Sequence, residues 1–197
     1  DLALIFDEVF SDYGCGHEAQ RVATAVGNTA ALTFVMGGIS KTLGLPQMKL
    51  AWIHVSGPAA LREEAQERLD FISDTYLSVG APVQHATAKL LALRQEIQQQ
   101  IRARITANEV FLHAQAGKLS DVDILKREAG WCAILAIAKP FAEEKFTVNL
   151  LEQDNVLVHP GYFFDFEREW LLVVSLLTDP AIFQKGVARM LARLAAP

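Results

Sequence analysis

Two short apolar runs separated by a glycine-rich bend constrain the fold more than any other feature of this chain. The runs are Ala31–Met36 and Leu50–Val55, and the bend between them contains Lys41. Short apolar runs that are rich in β-branched and aromatic residues and bounded by Gly or Pro are typical of strands buried on both faces of a sheet. The pattern therefore predicts two neighbouring strands, with Lys41 at the mouth of the sheet.

The rest of the chain alternates between predicted strands and helices. A strand at about residues 2–6 precedes a polar, glycine-bearing loop, 11–28, with a short helix through 18–25. Pro58 opens a helix to about residue 78, and a longer helix runs from Pro82 towards Gly117 with apolar residues along one stripe. Shorter elements follow: a strand at 131–138, a helix at 142–152, strands at 156–159 and 170–176, and a helix at 180–195.

Composition and charge exclude several function classes. The chain has 197 residues, 51% of them hydrophobic, and a formal charge of -5, so it can bury a substantial core. The mildly negative balance of interspersed charges argues against a nucleic-acid binder. No apolar run is long enough to cross a bilayer and no basic-then-apolar leader opens the sequence, so we expect a soluble, cytoplasmic protein. The histidines and the two cysteines lack ligand spacing, so no metal site is predicted.

Lys41 and Asp7 are the residues with the clearest candidate roles in catalysis or cofactor binding. A lysine amine at a sheet edge, away from carboxylates, is a nucleophile towards carbonyl carbons. Asp7 directly follows an apolar strand, where a buried carboxylate can hold the protonated ring nitrogen of pyridoxal phosphate. Each residue taken singly also has a plainer interpretation, a solvated surface lysine and a turn or helix cap.

The residues around these two positions resemble the class I and II pyridoxal-phosphate aminotransferases. Three stretches carry the similarity: Asp7-Glu8-Val9-Phe10, Ser40-Lys41-Thr42-Leu43-Gly44-Leu45-Pro46 and Lys49-Leu50-Ala51-Trp52. Further along, Pro82 to Gln84, Gly130-Trp131 and Val158-His159-Pro160-Gly161 follow in the family's order. The resemblance runs along nearly the whole chain and corresponds to the family's carboxyl-terminal half, so the chain is expected to be part of a longer polypeptide.

The resemblance implies an α/β fold of the fold-type I class. Residues 1–110 would be the carboxyl-terminal part of the cofactor-binding large domain, a mainly parallel sheet with helices, including the long interdomain helix. Residues 111–197 would form a smaller α+β domain. The implied activity is amino-group transfer between amino acids and keto acids, by an intact protein that is a homodimer with no nucleic-acid or membrane partner.

The resemblance also implies the cofactor and its contacts. Pyridoxal 5'-phosphate would be bonded by Lys41, the Schiff-base lysine, which also moves the substrate proton. Asp7 would pair with the ring nitrogen, and Ser40 and Lys49 would lie near the phosphate.

Several departures from the family's pattern leave the substrate open. Phe10 stands where the family usually has a tyrosine, Lys49 where it has an arginine, and Gly38 where many members have a serine. Val173 stands where an arginine holds the substrate carboxylate. Arg168 is a candidate substitute, although its charged neighbours favour a solvated surface role.

These departures keep other functions open. A pyridoxal-phosphate-dependent carbon-sulfur lyase or decarboxylase, and a non-catalytic ligand-sensing domain of a regulator, are alternatives to the aminotransferase. The simplest alternative is a stable proteolytic fragment that only self-associates, through exposed strand edges. Because the family's amino-terminal half supplies the remaining cofactor contacts, we expect the 197-residue chain alone to bind the cofactor poorly and to be inactive.

Overall fold

A computed structural model describes residues 2–15, 22–139 and 142–195. The chain divides into two compact units, Asp1–Gln99 and Gln100–Pro197. Residues 18–21 of the helix predicted at 18–25 lie outside the described residues, and residues 22–25 are not helical. The predicted domain limit at residue 110 stays a prediction about the intact protein. Among the described residues, no helix combines the length and the apolar character needed to span a membrane.

The first unit contains a three-stranded sheet. Its strands are β1 (Leu4–Asp7), β2 (Thr33–Gly38) and β3 (Ala51–Ser56), in the order β1-β2-β3. β1 runs parallel to β2, with Leu4 opposite Thr33 and Asp7 opposite Met36. β3 runs antiparallel to β2, with Gly38 opposite Ala51. The sheet is therefore mixed, with β2 at its centre.

Burial on both faces, which the apolar run Leu50–Val55 predicted, is wrong for β3. All four residues of β1 and the first four of β3 are exposed, whereas β2 is buried or half-buried throughout. In the part of the chain that the structure describes, β1 and β3 each pair with β2 alone. An apolar strand at the edge of a sheet keeps its apolar side chains accessible unless another element covers them, so the composition of a strand does not by itself fix its burial.

The helices of the first unit follow the sheet. They are α1 (Ile39–Thr42), α2 (Ala59–Thr75) and α3 (Ala81–Ala92), and α4 (Arg94–Ala116) begins here and ends in the second unit. Ile39 and Leu43, with Leu50, form a buried cluster against which apolar residues of the following segments pack. This cluster anchors α1 beside the sheet.

The single long helix predicted from Pro82 to Gly117 is two helices. The helical path breaks at Leu93, whose N–H donates to the carbonyl of Leu90 at 3.0 Å, a bond between residues three apart that tightens the turn. The next helix starts at Arg94. Leu91 to Arg94 contain no Gly or Pro, so the local sequence carries no signal for the break.

The second unit contains an antiparallel sheet of four strands. They are β4 (Val122–Ile124), β5 (Cys132–Ile137), β6 (His159–Pro160) and β7 (Leu171–Ser175), in the order β4-β5-β7-β6. The helices are α5 (Glu143–Asp154) and α6 (Pro180–Ala195), and the limits predicted for α6 are confirmed. β4 was not predicted. Of the strand expected at 156–159, only His159 lies in a strand, the two-residue β6.

Two polar contacts, one of them buried, tie α4 to the rest of the second unit. Asn108 is 1% exposed, and its amide donates to the carbonyls of Leu176 at 2.9 Å and Thr178 at 2.8 Å. Arg127 forms two hydrogen bonds with the carboxylate of Glu109, at 3.0 and 2.6 Å. Pairing with Glu109 stabilises the charge of the half-buried Arg127.

We expect Gly161→Ala to destabilise the second unit. A Cβ at Gly161 would lie 2.6 Å from Cβ of Leu171, a core residue of β7 that has no room to move. Overpacking of this kind lowers the free energy of unfolding by about 1–3 kcal/mol, measured by urea denaturation.

The matched control is Gly186→Ala within α6. A Cβ there would meet Val156 at an ordinary 3.7 Å, and replacing a mid-helix glycine with alanine stabilises by roughly 0.5–1 kcal/mol. Equal effects of the two substitutions would contradict the close contact with Leu171.

Candidate active site

The strand directions bring the four predicted site residues to one end of the first sheet. Asp7 ends β1, and α1, which carries Ser40 and Lys41, follows the end of β2 directly. Because β1 and β2 are parallel, their carboxyl ends lie at the same edge. β3 is antiparallel and starts at that edge, two residues after Lys49.

Lys41 is half-buried, and it contacts an aromatic ring. Its Nζ lies 5.5 Å from the centroid of the Phe10 ring, within the range of a cation–π interaction. Phe10 follows Asp7 by three residues, so the contact joins the segment after β1 to the segment after β2. The ring offers its face to the amine and no hydrogen-bonding group, since Phe10 lacks a hydroxyl.

Asp7 is exposed and its carboxylate shapes the chain that follows. Oδ1 accepts a hydrogen bond from the N–H of Val9 at 3.1 Å, which is the geometry of an Asx turn. Asp7 also lines a cleft of about 800 Å³ together with residues of β2, β3 and α2, among them Trp52 and His54. Ser40, Lys41 and Lys49 are not among the residues lining this cleft, so it does not gather all four predicted residues.

The segment around Lys49 has an unusual backbone. Lys49 follows a 3₁₀ turn at Pro46–Met48, is exposed and has φ 53 and ψ 42, in the left-handed region. A non-glycine residue with positive φ is uncommon and marks a position where the chain reverses sharply. This reversal brings the chain back into β3 at the end of the sheet where α1 lies.

One departure noted in the sequence has a packing explanation. A Cβ at Gly38 would lie 3.1 Å from the carbonyl oxygen of Leu50 and 3.2 Å from Cα of Ala51. These are backbone atoms of the neighbouring segment, which cannot swing away as a side chain can. The serine that the resemblance leads one to expect here would therefore be crowded.

The residues at this sheet end suit the chemical groups of pyridoxal phosphate. The cofactor presents an aldehyde, a phosphate and a ring nitrogen that is protonated when a carboxylate faces it. The chain presents an amine, Lys41, and a hydroxyl and a cation, Ser40 and Lys49. It also presents a carboxylate, Asp7, whose Oδ2 accepts no hydrogen bond within the part of the chain that the structure describes. The donor set therefore fits.

Comparison with known proteins identifies the family. The sequence model of the family described as aminotransferase class I and II matches residues 1–181. The chain belongs to this family. A comparison with curated proteins finds no significant match.

Solved aminotransferases share the fold of the chain. Alanine aminotransferase from Pyrococcus furiosus superposes with a TM-score of 0.83 at 16% identity, covering 96% of this chain and 48% of that one. Tyrosine aminotransferase from Leishmania infantum gives 0.82 at 19% identity, with 98% and 48% covered. Aspartate aminotransferase from Thermotoga maritima gives 0.79 at 18% identity, with 100% and 48% covered. The chain thus spans about half the length of these structures, and the predicted family and α/β fold class are confirmed.

Val173, which the resemblance aligns with a carboxylate-binding arginine, lies in an apolar environment. Val173 is 4% exposed and lies on β7 opposite Ile134 of β5 and His159 of β6. A side chain there belongs to the core of the second unit. A carboxylate partner at this position is therefore absent.

Arg168 lies in a separate small cavity. The cavity has a volume of about 360 Å³ and is lined by three aromatic and four charged residues besides Ala142: Tyr162, Phe166, Trp170, Glu143, Glu144, Arg168 and Glu169. Three carboxylates share this cavity with Arg168, so its charge is opposed by several nearby acids. This environment agrees with the surface role expected from its sequence neighbours.

Two residues that hold the backbone of α1 were missed by the sequence interpretation. Tyr13 donates from its hydroxyl to the carbonyl of Lys41 at 2.9 Å, and Gln98 donates to the carbonyl of Thr42 at 3.0 Å. Tyr13 lies three residues after Phe10, and no local motif marks the partner of its hydroxyl. Gln98 sits in a run of three glutamines on a helix, where nothing local distinguishes a buried amide from its solvated neighbours.

Metal ligation receives no support from the geometry. Within residues 2–15, 22–139 and 142–195, no group of three or more His, Cys, Asp or Glu side chains is arranged to hold an ion.

We expect the phenol of Tyr162 to ionise above its ordinary pKa of 10.0, because partial burial disfavours the phenolate and the charges of Glu144 and Glu143 add to the effect. Since the pKa is higher in the folded state, the stability this group contributes is present below pH 10 and is lost as pH rises through the folded-state value. A difference titration at 295 nm between wild type and Tyr162→Phe reports this pKa.

Glu144→Gln is the companion variant for that titration. It removes one of the two negative charges and should lower the pKa of Tyr162 part of the way back, because the contribution of burial stays. A difference midpoint at or below pH 10 in wild type would contradict the assignment.

Proposed function

We propose that the intact protein is a pyridoxal-5'-phosphate-dependent aminotransferase in which Lys41 is the Schiff-base lysine. The observation that supports this most directly is the convergence of Asp7, Ser40, Lys41 and Lys49 at one end of the sheet in a chain of this family. Four residues whose chemistry matches one cofactor are brought together by strand direction, although 34 positions separate the acid from the lysine.

Lys41 has two tasks in this proposal. Its amine would hold the cofactor at the aldehyde carbon, whose oxygen leaves as water. Once a substrate amine takes that place, the freed amine would take and return the substrate proton. The ring of Phe10, whose centroid lies 5.5 Å from Nζ, borders the amine on one side. The bound cofactor supplies an electron sink for the carbon that loses the proton.

The other three residues orient the cofactor. The Asp7 carboxylate favours a protonated ring nitrogen because opposite charges attract at short range. Ser40 donates a hydrogen bond and Lys49 supplies a point charge for the phosphate. Lys49 lacks the planar fork of an arginine, so it holds a phosphate with less directional preference.

Substrate, assembly and compartment are further parts of the proposal. Amino acids and keto acids are the proposed substrates, since similar structures carry the names alanine, tyrosine and aspartate aminotransferase. We propose a cytoplasmic homodimer for the intact protein and an inactive state for the 197-residue chain alone. The exposure of β1 and of most of β3 supports the last point, because the sheet that would position the cofactor is incompletely covered.

Val173 supports a second candidate function. An apolar core residue where the family has its carboxylate-binding arginine is compatible with a lyase or decarboxylase, or with a ligand-sensing domain. A lyase or decarboxylase would use the same cofactor-bound lysine, whereas a ligand-sensing domain would have no catalytic activity. A test of cofactor binding and a test of amino transfer therefore answer different questions.

We expect pyridoxal phosphate to give a visible absorbance band with the full-length parent and only a weak one with the 197-residue chain. Borohydride reduction and peptide mass mapping should place the adduct on Lys41. Lys41→Ala should abolish the band, whereas Lys89→Ala, on the exposed part of α3, should leave it intact. If the full-length protein shows no absorbance band, or if its adduct forms on another lysine, the proposal is wrong.

The role of Lys49 can be tested through phosphate affinity. Lys49→Ala should weaken pyridoxal phosphate binding by about tenfold or more, because a hydrogen bond to a charged group is worth roughly 1.5–3 kcal/mol. Lys49→Arg should retain or improve binding, since it restores a fork. Equal affinity of all three proteins in equilibrium dialysis would remove Lys49 from the phosphate site.

A further inference from the structure

The helix that carries Lys41, α1, is too short to be stable by itself. α1 has only four residues, Ile39–Thr42, and helices shorter than about 12 residues are marginal in isolation. The last carbonyls of any helix also lack partners within it. In α1 these include the carbonyls of Lys41 and Thr42. Donors from outside α1 must therefore hydrogen-bond to these two carbonyls if the helix is to keep one conformation.

Tyr13 satisfies the first of these carbonyls. Its hydroxyl donates to the carbonyl of Lys41 at 2.9 Å, whereas the N–H of Gly44 approaches the same oxygen only to 3.4 Å. Tyr13 ends the 3₁₀ turn Ser11–Tyr13 and is 3% exposed. Water therefore has little access from the side of the phenol, and the hydroxyl fixes the carbonyl of the lysine residue itself.

Gln98 satisfies the second carbonyl. It is 5% exposed, and its Nε2 donates to the carbonyl of Thr42 at 3.0 Å and to Oδ2 of Asp12 at 2.7 Å. Both partners accept only, so both amide hydrogens are used and the orientation of the amide is determined. Burial of this amide without those bonds would be costly, which ties the position of Gln98 to that of α1.

Asp12 holds Gln98 in place. Its carboxylate accepts from Gln98 through Oδ2 and pairs with Arg94, one turn earlier on α4, through Oδ1. Asp12 is also the immediate neighbour of Tyr13. The segment after β1 and the first turns of α4 thus meet at one carboxylate, and each sends one side chain to a carbonyl of α1.

We propose that Asp12, Tyr13 and Gln98, here called the α1 clamp, are positioning residues that set the geometry of the Lys41 amine. The packing of Ile39 and Leu43 anchors α1 as a body, whereas the hydrogen bonds from Tyr13 and Gln98 hold the carbonyls of Lys41 and Thr42. A reacting amine must return to one position in each cycle, and small displacements of a reacting group lower rates strongly. The significance of the clamp for reactivity rests on the proposed role of Lys41.

The test compares hydrogen-bond deletions within the intact protein. Tyr13→Phe removes only the hydroxyl, and Gln98→Met removes the donors at similar side-chain length. Asn108→Leu is the matched control, because Asn108 is likewise a buried amide that donates to two carbonyls but lies in the second unit. Thermal unfolding gives the stability loss of each variant, so that the comparison is made between variants of similar stability.

Two measurements report whether the α1 clamp holds the helix and the lysine in place. The first is hydrogen exchange of the amides of Leu43 and Leu45, which both donate to the carbonyl of Ile39. The second is the rate of pyridoxal phosphate addition at Lys41, trapped with borohydride at saturating reagent and divided by the rate at Lys89. Each single deletion should accelerate the exchange and slow the relative trapping by at least about fivefold, the effect of losing one hydrogen bond.

The outcomes separate the clamp from the proposed function. Asn108→Leu should change neither readout, and a decrease of trapping in it as large as in Gln98→Met would overturn the clamp. A folded double variant, Tyr13→Phe with Gln98→Met, that traps Lys41 at the wild-type rate would also overturn it. If wild type does not trap Lys41 at all, the proposed function fails, and the exchange of Leu43 and Leu45 alone decides whether the clamp holds α1.

Discussion

The close approach of β3 to the end of β2 is the constraint on which the candidate site depends. A Cβ on Gly37 would lie 2.5 Å from Nε1 of Trp52, and one on Gly38 would lie 3.1 Å from the carbonyl of Leu50. Glycine at both positions leaves the space in which β3 pairs so far along β2. Because this pairing continues to the N–H of Ile39, which donates to Leu50 at 3.1 Å, α1 starts at a defined point of the sheet edge.

Sequence patterns predicted the elements whose signals are local and strong. The strand–bend–strand unit around Lys41 has turn residues on both sides, and α6 has Pro180 at its start and a regular apolar stripe, so both were predicted well. The break at Leu93 and the strand β4 were missed. Neither has a Gly or Pro to mark it, and a three-residue strand such as Val122–Ile124 is defined by its pairing with β5 rather than by its own composition.

The candidate site shows the same division between local and non-local information. Asp7 and Lys41 could be named from short motifs, and strand direction explains why they lie at one sheet end. The contacts of Tyr13 and Gln98 with α1 span 28 and 56 positions of sequence, and neither side chain is unusual in its own segment. The exposure of β1 was equally unpredictable from the sequence, since it depends on what covers the sheet edge and not on the strand itself. The roles of the four site residues stay proposals.

Trp52 gives the chain an internal optical label. Its indole lies across Gly37, remains 41% exposed and lines the same cleft as Asp7. The emission of an indole responds to the polarity and the ring systems around it, and the register of β3 fixes this one beside the backbone of β2. A flat aromatic molecule that enters the cleft meets a fluorophore placed there by the pairing of two strands, without any attached dye.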